Sequence, residues 1–103
     1  MKNGKKYIPK TNVKETEIAS SFLNVDFTKI YYPMIVIYKN PADMPEHDYV
    51  CRLWEGTTAK PTNIVIVRSS LAACRHDIEM ARPEMLGFPR EETDDLCIIE
   101  TWF

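Results

Sequence analysis

The side chains of this 103-residue chain that could carry chemistry are two histidines, three cysteines and a run of acids. His47 lies in a proline-flanked loop and His76 in a stretch of helical periodicity. Neither has a histidine or cysteine at zinc-ligand spacing. His76 precedes Asp77, but positions i and i+1 do not face each other on a helix, so the two cannot work as a pair. Ser69-Ser70 lacks the G-x-S-x-G context that would expose a nucleophile; a helix-capping hydroxyl explains it. There is no G-x-G-x-x-G and no Walker A pattern, and Gly4, Gly56 and Gly87 are too scattered to cradle a phosphate. Cys51, Cys74 and Cys97 are odd in number, form no C-x-x-C pair and sit in apolar stretches. They read as reduced, packed side chains, not as a disulfide framework or a metal site. Glu91, Glu92, Asp94 and Asp95 form the one cluster that could meet a hard cation, yet they lack the glycine and spacing of an EF-hand loop. The expectation is a chain without metal or cofactor, and not an enzyme. Its work would be recognition.

Those residues need elements to hold them. The length suits one domain with one modest core. With 45% hydrophobic and 27% charged residues, the composition is that of a folded protein and not of a disordered one. No run of eighteen apolar residues exists, which excludes a membrane-spanning helix. The basic start, Met1 to Lys6, is followed by no apolar stretch of a signal peptide, so the expected location is cytoplasmic. Charge is uneven: Lys2, Lys5, Lys6, Lys10 and Lys14 come before any acid, and acids crowd the C-terminal end.

Residues 1–29 read as a basic arm with a short helix, Val13 to about Leu23, capped by Asn12 and Glu15. Residues 30–103 read as a single α+β domain. Met34–Tyr38, Tyr49–Trp54 and Asn63–Arg68 are short β-branched or aromatic runs separated by turn residues. Leu71, Cys74, Ile78 and Ala81 then fall on one helical stripe behind a serine cap, and Pro83 ends it. Arg75, Asp77, Glu79 and Arg82 lie off the stripe, and Arg75 can pair with Glu79. Gly87-Phe88-Pro89 makes a turn, and Leu96–Trp102 is a last strand. The order is β-β-β-α-β: a four-stranded, mainly antiparallel sheet with one main helix on one face.

One helix covers one face. The first and third strands are apolar on both sides, as strands buried on both sides are. The second face therefore needs a cover: the N-terminal segment, a second copy in a homodimer, or another protein. Arg52, Trp54 and Trp102 are of types enriched at binding hot spots. With Glu100 and the acidic loop Glu91, Glu92, Asp94 and Asp95, they are the expected partner-binding residues. The alternative is direct nucleic-acid binding through the lysine arm, with Tyr7 as a stacking residue. The negative net charge counts against it.

From Met34 to Trp102 the layout resembles the HicB family of antitoxins. The element order is the same. Ser69-Ser70-Leu71 opens the helix, Ala72-Ala73-Cys74-Arg75 is its amphipathic stretch, and Gly87-Phe88-Pro89 leads to the last strand. The resemblance implies an inhibitor of an RNase toxin. The family's usual proline-glycine-cysteine stretch around the third strand is missing, and so is the C-terminal DNA-binding domain that many members carry; the second departure puts autoregulation of a promoter in doubt. The chain is also similar in kind to small accessory proteins of phages and mobile elements, anti-CRISPR inhibitors among them. That likeness implies a stoichiometric inhibitor of a Cas nuclease, its acidic loop set in a basic channel.

Overall fold

The computed structural model describes residues 6–103. In chain order its elements are β1 (Glu17–Ile18), β2 (Pro33–Lys39), β3 (Tyr49–Glu55), β4 (Lys60–Arg68), α1 (Leu71–Ala81), β5 (Gly87–Pro89) and β6 (Ile98–Trp102). Two single-turn 3-10 helices, Phe22–Asn24 and Phe27–Lys29, lie between β1 and β2. The strands form one six-stranded sheet in the order β1-β4-β3-β2-β6-β5. All neighbours are antiparallel except β1, which runs parallel to β4. The molecule is thus α+β with one α-helix. The four expected strands are the four central ones, and β1 and β5 are edge additions to that expectation.

β5 replaces the expected turn at Gly87-Phe88-Pro89. Gly87 lies opposite Trp102, where an added Cβ would come within 2.5 Å of the indole. Only a residue without a side chain lets the ring close over this strand. α1 forms where the stripe puts it. The Ser70 hydroxyl accepts the Ala73 N–H at 3.1 Å, and Arg82 caps the other end before Pro83.

The helix expected over Val13 to Leu23 is absent. Lys10 and Asn63 clasp each other instead: the Lys10 N–H donates to Asn63 Oδ1 at 2.8 Å and the Asn63 N–H to the Lys10 carbonyl at 3.0 Å. Glu17 and Ile18 then take the free edge of β4, and the Ser21 hydroxyl caps the first 3-10 turn by accepting the Leu23 N–H at 3.0 Å. Serine hydroxyls compete with helical hydrogen bonds in this way, and the open edge offers a better partner.

The main core lies between the sheet and α1. Ile35, Ile37, Cys51, Leu53, Ile64 and Ile66 point into it, against Cys74 and Ile78. Ala19, Phe22, Val25 and Ile30 fill the space beside the helix. Burying Phe22 alone contributes up to about 3 kcal/mol. Residues 17–30 therefore extend the helix-side layer and do not cross to the other face. Asp77, placed off the stripe by periodicity, is also buried. It accepts the Phe22 N–H at 2.9 Å and pairs with Arg68 at 2.7 Å, and Arg68 also donates to the Ser20 carbonyl at 2.8 Å. This junction fastens β4, α1 and the N-terminal segment together. Arg75 pairs not with Glu79 but with Glu100 of β6.

Candidate interaction surface

The face away from α1 carries Met34, Val36 and Tyr38 of β2, Val50, Arg52 and Trp54 of β3, and Val65 and Val67 of β4. This follows from the register with the core residues. Over β3 and β4 it is partly covered, by the loop after β2, whose Met44 packs on Val50, Val65 and Val67, and by residues 11–16, where Thr16 meets Arg52. The N-terminal segment, one of the three expected covers, thus shares this part of the face with a loop that was not expected there. Over β5 and the Phe103 end of β6 the face stays open.

There a row of large apolar side chains crosses four strands. Trp54 lies opposite Met34. Ile35 lies opposite Trp102, so the same register carried one step outward puts Phe103 on the side of Met34. Phe103 and Leu86 exchange both backbone hydrogen bonds, at 3.0 and 3.1 Å. Phe88 stacks on Phe103 with ring centroids 5.1 Å apart. The Tyr32 ring lies over Gly56 at the end of the row. Leu86 is 64% exposed, Phe103 46% and Phe88 43%, while Met34 and Trp54 are half-buried. No side chain of the row is charged.

Comparisons with protein-family models, with curated proteins and with solved structures return no match. The geometry is what speaks for function.

The expected partner-binding residues fall into three places. Arg52 and Trp54 stand side by side on the face away from α1. Trp102 does not join them: it is 7% exposed, on the helix face, and its indole N–H donates to Glu100 Oε1 at 3.0 Å. Glu100 faces the helix too, where the hydrogen bond from Arg75 holds its carboxyl below the ordinary value. The sheet thus separates Glu100 and Trp102 from Arg52 and Trp54. The acidic loop lies at the far end of β6 from Phe103, beside Lys39, whose N–H donates to the Cys97 carbonyl at 2.7 Å. Asp94 is used within this loop, accepting the Glu91 N–H at 2.9 Å; Glu91, Glu92 and Asp95 are exposed.

The lysine arm is only partly described: Lys2 and Lys5 lie outside the described residues. Lys6, Lys10 and Lys14 are exposed. Tyr7 is bridged to Val25 and packs on the main core, so its ring is not a free stacking platform. Leu86, Phe88 and Phe103 were missed by sequence reasoning. A turn motif and a chain end hid an apolar i, i+2 pair, Leu86 and Phe88, which is the signal that could have found them.

The environment of Trp54 is unusual. Its indole nitrogen is buried with no group in hydrogen-bonding geometry, although it lies near enough to the Tyr38 hydroxyl to favour the ionised phenol. Burial outweighs that and pushes the Tyr38 phenol up. Among titratable groups elsewhere, His76 is exposed, and His47 sits 3.5 Å from Glu46. Cys51 and Cys74 meet between β3 and α1, and the hydrogen bond to Cys74, with burial, raises the Cys51 thiol. Among the described residues no three His, Cys, Asp or Glu side chains gather as a metal site. No helix among them is long and apolar enough to cross a membrane.

Proposed function

We propose that this chain is a non-catalytic binding protein that holds another protein against the row formed by Trp54, Met34, Phe103 and Leu86. The observation that carries this reading is the row itself: folded, without a charged side chain, and left open by a molecule that covers part of the same face with its own loops. Large aromatic side chains such as Trp54 are enriched among the hot spots of protein interfaces. The resemblances in the sequence add the class of target, a nucleic-acid-processing protein. The target is then a Cas nuclease for an anti-CRISPR-type inhibitor, or an RNase toxin for a HicB-like antitoxin.

The test is inhibition by the purified chain in two assays, DNA cleavage by a bacterial Cas nuclease and RNA cleavage by a HicA-type toxin. The variants Phe103→Asp and Trp54→Ala run beside wild type. Inhibition in either assay, weakened at least about thirtyfold by the variants, supports the reading; that factor corresponds to a hot-spot loss of about 2 kcal/mol. Equal inhibition by wild type and both variants overturns the row as the site. A concentration-dependent dimer that Phe103→Asp dissociates would assign the row to self-association instead.

A further inference from the structure

On the same side of the sheet, but over β3 and β4, lies a cavity of about 350 Å3. It sits between the sheet and the segment of residues 11–16, which the Lys10–Asn63 clasp holds at the sheet edge. Its volume falls within the range of pockets that take small molecules, about 300–1,000 Å3. Val50, Tyr38 and Trp54, with Val13, Pro41 and Pro61, supply its apolar lining.

Arg52 lies in this lining, on the central strand between Val36 and Val65. Its side chain is only 14% exposed. A guanidinium held there is costly unless its donors and its charge are matched. The match is incomplete. Of its five donors, one meets the Thr62 carbonyl at 2.9 Å and another reaches the Thr16 hydroxyl at 3.4 Å. The paired carboxylate, Asp43, stands 3.5 Å away on a side chain that is 68% exposed. Charge-assisted bonds are usually about 2.7–2.9 Å long. The protein has placed a cation in the wall of a cavity and left its charge loosely balanced.

We propose that this cavity binds a small monocarboxylate with an apolar or aromatic body. The carboxylate takes the free donors of Arg52, and the body lies against Val50, Tyr38 and Trp54. Lys14 is the second cation of the lining, and Asp43 and Glu15 are its two anions. The two acids repel a second negative charge, which disfavours phosphate and dicarboxylates. The site does not rest on the protein-binding reading; the two share Trp54 alone.

The experiment is a titration of the 15N-labelled full chain, following the Arg52 Nε–H and Trp54 indole N–H signals. The probes are phenylacetate, its neutral amide, and inorganic phosphate. The expected result is a saturable shift with phenylacetate and none with the other two. Arg52→Gln should weaken the binding about tenfold or more, the effect of losing a charge-assisted hydrogen bond. Val13→Trp, at an exposed position of the cavity wall, fills the space without touching the core and should weaken it likewise. No saturation at millimolar phenylacetate overturns the proposal. So does an equal response to the amide or to phosphate, or unchanged affinity in a folded Val13→Trp variant.

Discussion

Asp77 is buried between a cation and an amide, and both depend on it. Removing its carboxylate leaves the Phe22 N–H and the Arg68 guanidinium without their partner. Asp77→Ala should cost about 2–3 kcal/mol, since a broken buried pair leaves the surviving partner uncompensated. Urea unfolding would show a lower midpoint at unchanged slope. A loss below about 1 kcal/mol would mean that the pair is screened like a surface bridge. The two tryptophans should part company. Trp102→Ala opens a hole in the core and should cost about 3–5 kcal/mol of stability. Trp54→Ala should cost much less in a thermal melt and act on binding. The sequence could not separate them. Alternation along a strand tells which residues share a face, so Arg52 with Trp54 and Glu100 with Trp102 were legible as pairs. It does not tell which face turns toward the helix. That is decided by the strand direction of β6 and its register shift beside Ile37 and Tyr38. Asp77 was hidden for a related reason: a buried acid looks like a solvated one until its partners, Arg68 and Phe22, are seen to arrive from elsewhere in the chain.

Between elements, the Arg75–Glu100 pair ties α1 to β6. Arg75 lowers the Glu100 carboxyl from its ordinary 4.5, and Thr58 holds Glu55, the last residue of β3, at about 2. Both groups bind protons more weakly in the folded chain than in the unfolded one. Their contribution is therefore complete above pH 4.5 and is lost as the pH falls through the depressed values. Thermal melts should show stability declining from pH 4.5 toward pH 2, and Glu100→Gln should flatten part of that decline. An unchanged profile in the variant would remove Glu100 from the account. The N-terminal segment offers a second test. A fragment of residues 30–103 lacks Ala19, Phe22 and Val25, three buried side chains of the main core, and should lose the cooperative melt that a fragment starting at Glu15 keeps. The central strands and α1 were legible because each is long enough to show a period. β1 and β5, of two and three residues, are too short to show one. They exist because neighbouring strands offer free edges, a fact of the assembled sheet and not of any local segment.

In the molecule as a whole, the sheet's two edges are poor sites for strand addition. The sheet ends in the two-residue β1 on one side and in β5, closed by Pro89, on the other. Short edges and a missing amide donor discourage strand addition. The open row and the Arg52 cavity remain, on the same side of the sheet. The three cysteines add something of a different kind. Cys97 is half-buried in a loop, while Cys51 and Cys74 are fully enclosed between β3 and α1. A thiol reagent should modify one sulfur promptly and the other two only as often as the helix lifts from the sheet. The interval between the first and the later modifications is then a clock set by local opening, whose free energy can be well below that of complete unfolding. A partner or ligand that quietens the sheet would slow that clock, so the native chain can report its own occupancy without a label.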